Sequence, residues 1–384
     1  MTEARRPLLD LYPNRGLAFV RGEGSHLITR DGDRYLDLMT NYGVSILGHG
    51  HPALVSALSC QLEALPTLHS SFGNDVRLRA AVALLARVPV PGGSVCWTNS
   101  GAEANEAALK FAATATGRTG FVACAGGYHG KTLGALSVTH AAKYRTGLAG
   151  LLTNCRWAAF GSVASIDAAI GDDTAAVIIE PIQGESGVIV PPDGFLRDVA
   201  DLCGRRGVLL IVDEIQTGVG RTGSFTVCER EGVTPDLLCL GKGLAGGVPV
   251  GATIVGPGVA EYLFRGLHTS TFGGNPLAAA GVLAVLSVVT PDLLATVEDR
   301  GRRFREQLAV AGLPVRGRGL MVGVQVGPGR DSLLKALQKD RVLAIPAAED
   351  VVRFLPPLVI DGHDLEAGAG RFVEAAARQA NAAP

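Results

Sequence analysis

Val208-Leu209-Leu210-Ile211-Val212-Asp213-Glu214-Ile215-Gln216-Thr217-Gly218 is an unbroken apolar run that ends in two carboxylates and then turns polar. An apolar run without alternation is what a strand buried on both faces requires, and such strands belong to parallel sheets covered by helices. Ligands of open α/β sheets bind beyond the carboxyl ends of the strands, where Asp213 stands. A carboxylate there can pair with a cationic heteroaromatic nitrogen. It can equally cap the segment that follows, and this stretch alone leaves both readings open.

Similar short runs lie on either side: Ser94–Thr98, Gly120–Cys124, Ala175–Glu180, Leu237–Leu240 and Gly251–Val255. Between them fall helical stretches at Ala102–Ala115, Gly194–Arg206 and Val259–Phe264. Strand alternating with helix over this length predicts an α/β domain with a mostly parallel sheet. Beyond it, helical Pro276–Val289 and Pro291–Ala311 lead into strands near Leu320–Val326 and Val352–Leu355, and a last helix covers Leu365–Ala380. That is the pattern of a smaller α+β domain. Residues 1–44 carry two turn signals, Arg21-Gly22-Glu23-Gly24 and Arg30-Asp31-Gly32-Asp33, which predict a small hairpin region. The division expected is therefore 1–44, 45–270 and 271–384.

Composition narrows the function. The 384 residues carry a formal net charge of -1, which argues against general affinity for nucleic acid or membrane surfaces. The stretch Leu277–Val289 is too short to span a bilayer, and no apolar segment follows the charged start Met1-Thr2-Glu3-Ala4-Arg5-Arg6. The 7 cysteines are scattered without a CxxC pair, so they read as small buried side chains in a reducing cytoplasm, with no metal site expected.

Three further stretches carry chemistry. In Cys239-Leu240-Gly241-Lys242-Gly243-Leu244-Ala245-Gly246-Gly247, a lone lysine follows an apolar strand and is crowded by glycines. A buried lysine loses proton affinity and becomes a nucleophile able to form a Schiff base. In Thr98-Asn99-Ser100-Gly101-Ala102-Glu103, a strand turns into a helix whose first amides can seat a phosphate, although Ser100 and Glu103 also spell an ordinary capping box. In Gly126-Gly127-Tyr128-His129-Gly130-Lys131-Thr132, a tyrosine between glycines can stack on a flat ring, or the segment is a surface loop. There is no GxGxxG after the first strand and no GxxxxGK[ST], which sets aside a nucleotide-dependent oxidoreductase on the same α/β pattern.

Taken together the chain resembles the class III aminotransferases, the acetylornithine and ornithine group of pyridoxal-5′-phosphate (PLP) enzymes of fold type I. The likeness runs from Arg21 to Leu365. It rests on Leu47-Gly48-His49-Gly50-His51-Pro52, Asn99-Ser100-Gly101-Ala102-Glu103-Ala104, Glu180-Pro181-Ile182-Gln183-Gly184-Glu185, Asp213-Glu214-Ile215-Gln216-Thr217-Gly218, Lys242 in its glycines, Ser270-Thr271-Phe272-Gly273-Gly274-Asn275-Pro276 and Arg353-Phe354-Leu355-Pro356-Pro357-Leu358. The resemblance implies a large domain with a mostly parallel sheet of the seven-stranded type and a smaller α+β domain. It implies that Lys242 holds the cofactor as a Schiff base and that Asp213 pairs with the ring nitrogen. Gln216 would contact the ring's phenolic oxygen, and Ser100, Gly101 and Ala102 would bind the phosphate. Tyr128 would stack on the ring, with Glu180 beside it. Thr271 would reach the phosphate of the neighbouring subunit, completing the site in a homodimer.

On the substrate side the resemblance implies Tyr12, Tyr42, Lys131, Glu185, Ser270 and Arg353. Glu185 would mask Arg353 while an ω-amine donor is bound and release it to the carboxylate of glutamate. The activity implied is transfer of an ω-amino group from an N-capped diamino acid to 2-oxoglutarate. The other chemistries of the same fold are pyruvate-dependent transamination, aminomutation and epimerisation. One departure stands out: where the family carries His-Gly-Arg-Thr, this chain has His129-Gly130-Lys131-Thr132. Lysine offers one charge and no bidentate fork. Tyr42-Gly43-Val44, Leu136-Ser137-Val138-Thr139, Lys143-Tyr144-Arg145 and Arg341-Val342-Leu343-Ala344 resemble the branch that acts on acetylornithine or on lysine linked to a small acidic carrier protein.

Overall fold

Leu209–Asp213 is the central strand of a seven-stranded sheet in the computed structural model, which describes residues 9–382. The charged start of the chain lies outside the described residues. Numbered along the chain, the strands are β1 (Phe19–Glu23), β2 (His26–Thr29), β3 (Arg34–Asp37), β4 (Ser94–Thr98), β5 (Gly120–Cys124), β6 (Cys155–Ala158), β7 (Thr174–Ile179), β8 (Leu209–Asp213), β9 (Leu237–Leu240), β10 (Gly251–Val255), β11 (Val315–Arg318), β12 (Met321–Gln325), β13 (Val342–Leu343), β14 (Ile345–Ala347) and β15 (Val351–Phe354). The large sheet runs β4-β10-β9-β8-β7-β5-β6, and within it only β10 is antiparallel to its neighbours.

Burial explains why these runs are strands. Every residue of β5, β7, β9 and β10 is buried, and helices cover the sheet. Helix Gly101–Thr116 lays Ala104, Ala107, Ala108 and Ala112 against the strands, and these short side chains let backbone approach backbone. Two sequence expectations need correction. The edge strand β6 was not foreseen, because Cys155-Arg156-Trp157-Ala158 pairs on one side only and is half exposed, so it lacks the apolar run of its neighbours. The helix expected at Val259–Phe264 is shorter and earlier, Pro257–Ala260. Pro257 fixes its first turn, and the chain beyond holds only single turns, Val259 to Tyr262 and Ala260 to Leu263.

The strands β1–β3 form an antiparallel meander at the two turn signals, and β13 from late in the chain joins β3 in parallel. A second small sheet, β11-β12-β15-β14, is antiparallel throughout. Helices Pro291–Ala309, Arg330–Lys339 and Gly362–Ala382 accompany it. Its strand β15 points Arg353 back at the large sheet. The wholly buried Arg221, on the loop after β8, donates to the carbonyls of Leu320 and Pro356, which flank the adjacent ends of β12 and β15, and so ties that loop to one end of the small sheet. Between β3 and the next helix, Thr40, Asn41, Tyr42 and Gly43 take φ values of 43°, 51°, 60° and 89°. A left-handed turn costs non-glycine residues about 1–2 kcal/mol each, so something must hold it. Among the described residues no single helix is long and apolar enough to cross a membrane.

Candidate active site

The carboxyl ends of β4, β5, β7, β8 and β9 converge on a cavity of about 470 Å³. Its lining includes Gly101, Ala102, Tyr128, Lys131, Glu180, Asp213, Gln216 and Lys242. These residues are far apart in sequence and meet because each follows a strand of the same sheet.

Asp213 ends β8 and is buried. Its Oδ2 accepts from His129 Nδ1 at 2.7 Å and from Asn105 Nδ2 at 2.8 Å, while its Oδ1 accepts the Ile215 amide at 3.0 Å. Oδ1 therefore keeps a lone pair for a ligand. Burial pushes the His129 imidazole down, but the hydrogen bond and charge of Asp213, with the charge of Glu180, outweigh it and hold its pKa above the ordinary histidine value. His129 is fixed further by its own amide on Thr139 Oγ1 at 2.9 Å and by its carbonyl, which accepts from Asn105 at 2.7 Å. Glu180 follows β7. Its carboxylate accepts the amides of Tyr128 at 2.9 Å and Gly184 at 3.3 Å, and burial raises it to about 7.

Lys242 sits in a 3₁₀ turn just past β9 at φ 45°, a conformation rare for a side-chain-bearing residue. Burial lowers its pKa, and no hydrogen bond or ion pair engages it among the described residues. It is a partly desolvated amine aimed at the cavity, as a Schiff-base nucleophile has to be.

Ser100 caps helix Gly101–Thr116 through Glu103 N at 3.1 Å, and Glu103 returns a bond to Asn99 N at 2.6 Å. The capping box forms, and it leaves the amides of Gly101 and Ala102 without intrahelical acceptors at the positive end of the helix dipole. The serine hydroxyl serves the helix, and Gly101 and Ala102 line the cavity. Only glycine fits at 101, where an added Cβ would stand 2.7 Å from Ile215, and at 130, where φ is 131° and a Cβ would stand 2.7 Å from that of Ala102. Tyr128 and Gln216 also line the cavity, and burial pushes the Tyr128 hydroxyl to about 12.

Arg353 is fully buried. It donates to Glu185 at 2.8 Å and to Gln216 Oε1 at 3.0 Å, and its Nε has no partner. Burial alone would raise the Glu185 carboxyl, but the charge and hydrogen bond of Arg353, helped by Lys242 and Lys131, hold it below the usual range. A neighbouring cavity of about 620 Å³ opens beside this pair, lined by Tyr42, Tyr128, Lys143, Tyr144, Glu185 and Arg330 among others. Lys131 lies with its ammonium 4.2 Å from the Tyr144 ring centre, on the boundary of the two cavities.

Three expected residues stand apart. Tyr12 is 83% exposed and lines neither cavity. Ser270 accepts from Asn99 Nδ2 at 3.0 Å and lines a different pocket, with Arg77 and Trp97. Thr271 is exposed beside the exposed Phe272 and does not line this chain's own cavity. Asn105 and His129 are site residues that the sequence reading does not single out. Asn105 is the one amide among Ala104, Ala107, Ala108, Leu109, Phe111 and Ala112 on the buried side of its helix. The cysteines take no part: burial raises Cys96 to about 11 and Cys124, Cys155 and Cys203 to about 12.

A buried carboxylate for a ring nitrogen, free helix-end amides for a phosphate and a desolvated lysine for a carbonyl carbon together fit PLP. The fold and this cavity define a PLP enzyme of fold type I. The chain belongs to the Aminotransferase class-III family, whose sequence pattern matches residues 12–376. It is 42% identical over 373 residues to an acetylornithine aminotransferase of Methanopyrus kandleri, covering 96% of each chain. It is 39% identical to a [LysW]-aminoadipate semialdehyde/glutamate semialdehyde transaminase of Sulfurisphaera tokodaii, covering 93% of this chain and 94% of that one. Among solved structures, the ornithine aminotransferase of Toxoplasma gondii superposes with a TM-score of 0.93 at 31% identity, covering 98% of this chain and 93% of that one. The chain is thus a PLP-dependent aminotransferase.

Proposed function

We propose that the chain moves the ω-amino group of an N-capped diamino acid, of the acetylornithine or carrier-linked lysine or ornithine type, to 2-oxoglutarate. The products are a semialdehyde and glutamate, formed in two half-reactions through one site. The observation that carries this reading is Arg353, buried beside Gln216 and held by Glu185 at the edge of the Lys242 cavity. An arginine whose counter-ion can step aside offers a bidentate seat to a carboxylate in one half-reaction and is neutralised in the other. An aminomutase or an epimerase, which works on a single substrate, has no need of that exchange. The names of the Methanopyrus and Sulfurisphaera relatives support an N-capped donor.

When bound, PLP supplies an electrophilic carbonyl carbon and a cationic ring that accepts electron density. The chain's own groups do the rest. Lys242 Nζ takes the proton from the carbon that bears the donor's amine and returns a proton at the end of the transfer. Asp213, oriented by His129 and Asn105, presents a fixed anion to the ring nitrogen. The amides of Gly101 and Ala102 would hold the phosphate, and Tyr128 would lie against the ring. Lys131 offers a single charge to the donor's carboxylate.

Thr271 serves the site of a neighbouring subunit in a homodimer, and Ser270 is a substrate-side residue. The place of Thr271 outside this chain's own cavity, beside exposed Phe272, supports this. We take residues 1–44, 45–270 and 271–384 as the three working parts of the chain. The seven free cysteines support a cytoplasmic setting. A donor screen decides the substrate: ornithine, acetylornithine and a lysine linked to a small acidic carrier protein, side by side, with glutamate formation followed. The reading expects a capped donor to exceed free ornithine. Equal or greater use of ornithine, or pyruvate replacing 2-oxoglutarate, overturns it.

A further inference from the structure

The left-handed turn Thr40–Gly43 has an identifiable clamp. Asp37, the last residue of β3, is fully buried. Its Oδ1 accepts the amides of Met39 at 3.1 Å and Thr40 at 2.8 Å, and its Oδ2 lies 2.8 Å from His49 Nε2. His49 cannot drift. Its backbone exchanges hydrogen bonds with Gly24 in both directions, and its ring lies on Gly22, where a Cβ would stand 2.5 Å away. Thr40 donates its hydroxyl to the Leu355 carbonyl at 2.6 Å, and the Leu355 amide donates to Leu38. Leu355 is two residues beyond Arg353. The turn is thus fastened on one side to Asp37 and His49 and on the other to the strand that carries the switch arginine.

What the turn presents is Tyr42. Its ring centre lies 5.9 Å from the Arg353 guanidinium, on the side facing the larger cavity. A β-branched threonine and a tyrosine held at positive φ are conformations that surroundings must enforce, and enforced strain clusters where a side chain has to be aimed. With the turn relaxed to right-handed geometry, Tyr42 would point elsewhere and Arg353 would lose its aromatic cover.

We infer that Asp37 and His49 are positioning residues of the amino-transfer site: they hold Tyr42 against Arg353 and so set how readily Arg353 exchanges Glu185 for a substrate carboxylate. The inference rests on the proposed role of Arg353 and Glu185. It reaches beyond that role by assigning a function to the His49 motif and to a buried carboxylate that lines neither cavity.

The test is a double-mutant cycle on the holoenzyme. The readout is the ratio of kcat/KM for 2-oxoglutarate to kcat/KM for the capped donor, which cancels losses shared by both half-reactions. Asp37→Ala and Tyr42→Ala are each expected to change this ratio by about tenfold, and the double variant to change it no further than Tyr42→Ala alone. Asp37→Asn keeps an acceptor for the Met39 and Thr40 amides, so it serves if the alanine variant does not fold; its smaller shift should likewise vanish in the Tyr42→Ala background. An Asp37 effect that persists undiminished in that background, or that lowers both half-reactions equally, overturns the inference, because it marks a merely structural role. Arg353→Lys separates this from failure of the underlying reading. If that variant leaves the ratio unchanged, the switch itself is wrong; if it moves the ratio while Asp37→Asn and Asp37→Ala do not, only the clamp is wrong.

Discussion

Replacing Asp213 by asparagine tests the electrostatic core of the site, and the structure dictates how the new amide must sit. The Oδ2 position receives two donors, His129 Nδ1 and Asn105 Nδ2. Asparagine must therefore place its oxygen there and its NH₂ at the Oδ1 position. That NH₂ then faces the Ile215 amide, a donor against a donor, and meets a protonated ring nitrogen the same way. The ring nitrogen loses both its anion and its hydrogen-bond acceptor. The orphaned Ile215 amide adds a stability cost of about 1–3 kcal/mol. On the scale of a lost preorganised contact, the barrier to proton removal rises by at least about 2.7 kcal/mol, or roughly 100-fold. Burial of His129, no longer opposed by the Asp213 anion, also drives that imidazole toward its neutral form. The assay is a single-turnover measurement of the donor half-reaction with Asp213→Asn carrying PLP. Cofactor retained with a rate within a fewfold of wild type would refute the role given to Asp213.

Three other outcomes follow from the same geometry. Glu180 titrates near 7 when folded against 4.5 ordinarily, so between those values the folded chain keeps a proton that the unfolded chain releases, and stability falls as pH rises. That shift amounts to about 3 kcal/mol at most, so Glu180→Gln should flatten the decline in Tm of the apoprotein between about pH 5 and 8; superimposable profiles would remove the effect. Mixing Lys242→Ala with Thr271→Ala chains should yield heterodimers with one intact site and about half of wild-type activity, whereas inactive heterodimers would show that Thr271 serves its own chain. Lys131→Ala should raise KM for the capped donor and for 2-oxoglutarate, since both place a carboxylate in turn, and Lys131→Arg should be tolerated; an unchanged KM for both in Lys131→Ala would take Lys131 out of the site.

Legibility in the sequence followed burial and strand ends. The inner strands β5, β7, β8 and β9 are almost wholly apolar because both faces are covered, and each run ends where the site begins, so Asp213 and Lys242 stand out in the sequence. The edge strand β6 could not, since one free edge and a half-exposed face let polar residues in. The side chains that hold Asp213 are not legible either. Asn105 and His129 act through a three-dimensional meeting at Asp213, made from a helix and a loop whose residues lie 24 apart, and no spacing rule connects them. The left-handed turn at Thr40–Gly43 is equally silent, because three of its four residues are not glycine and the side-chain contacts that fasten it come from Asp37 and, at a distance in the chain, from Leu355.

The central claim is that Lys242 forms the covalent bond to PLP, and borohydride reduction of the holoenzyme followed by peptide mapping tests it most directly. The account predicts a single modified peptide spanning Leu237–Val250 with the label on Lys242, and no label in a folded Lys242→Ala variant. A label on any other lysine, or a Lys242→Ala protein that still yields a reducible bond to the cofactor, would contradict it.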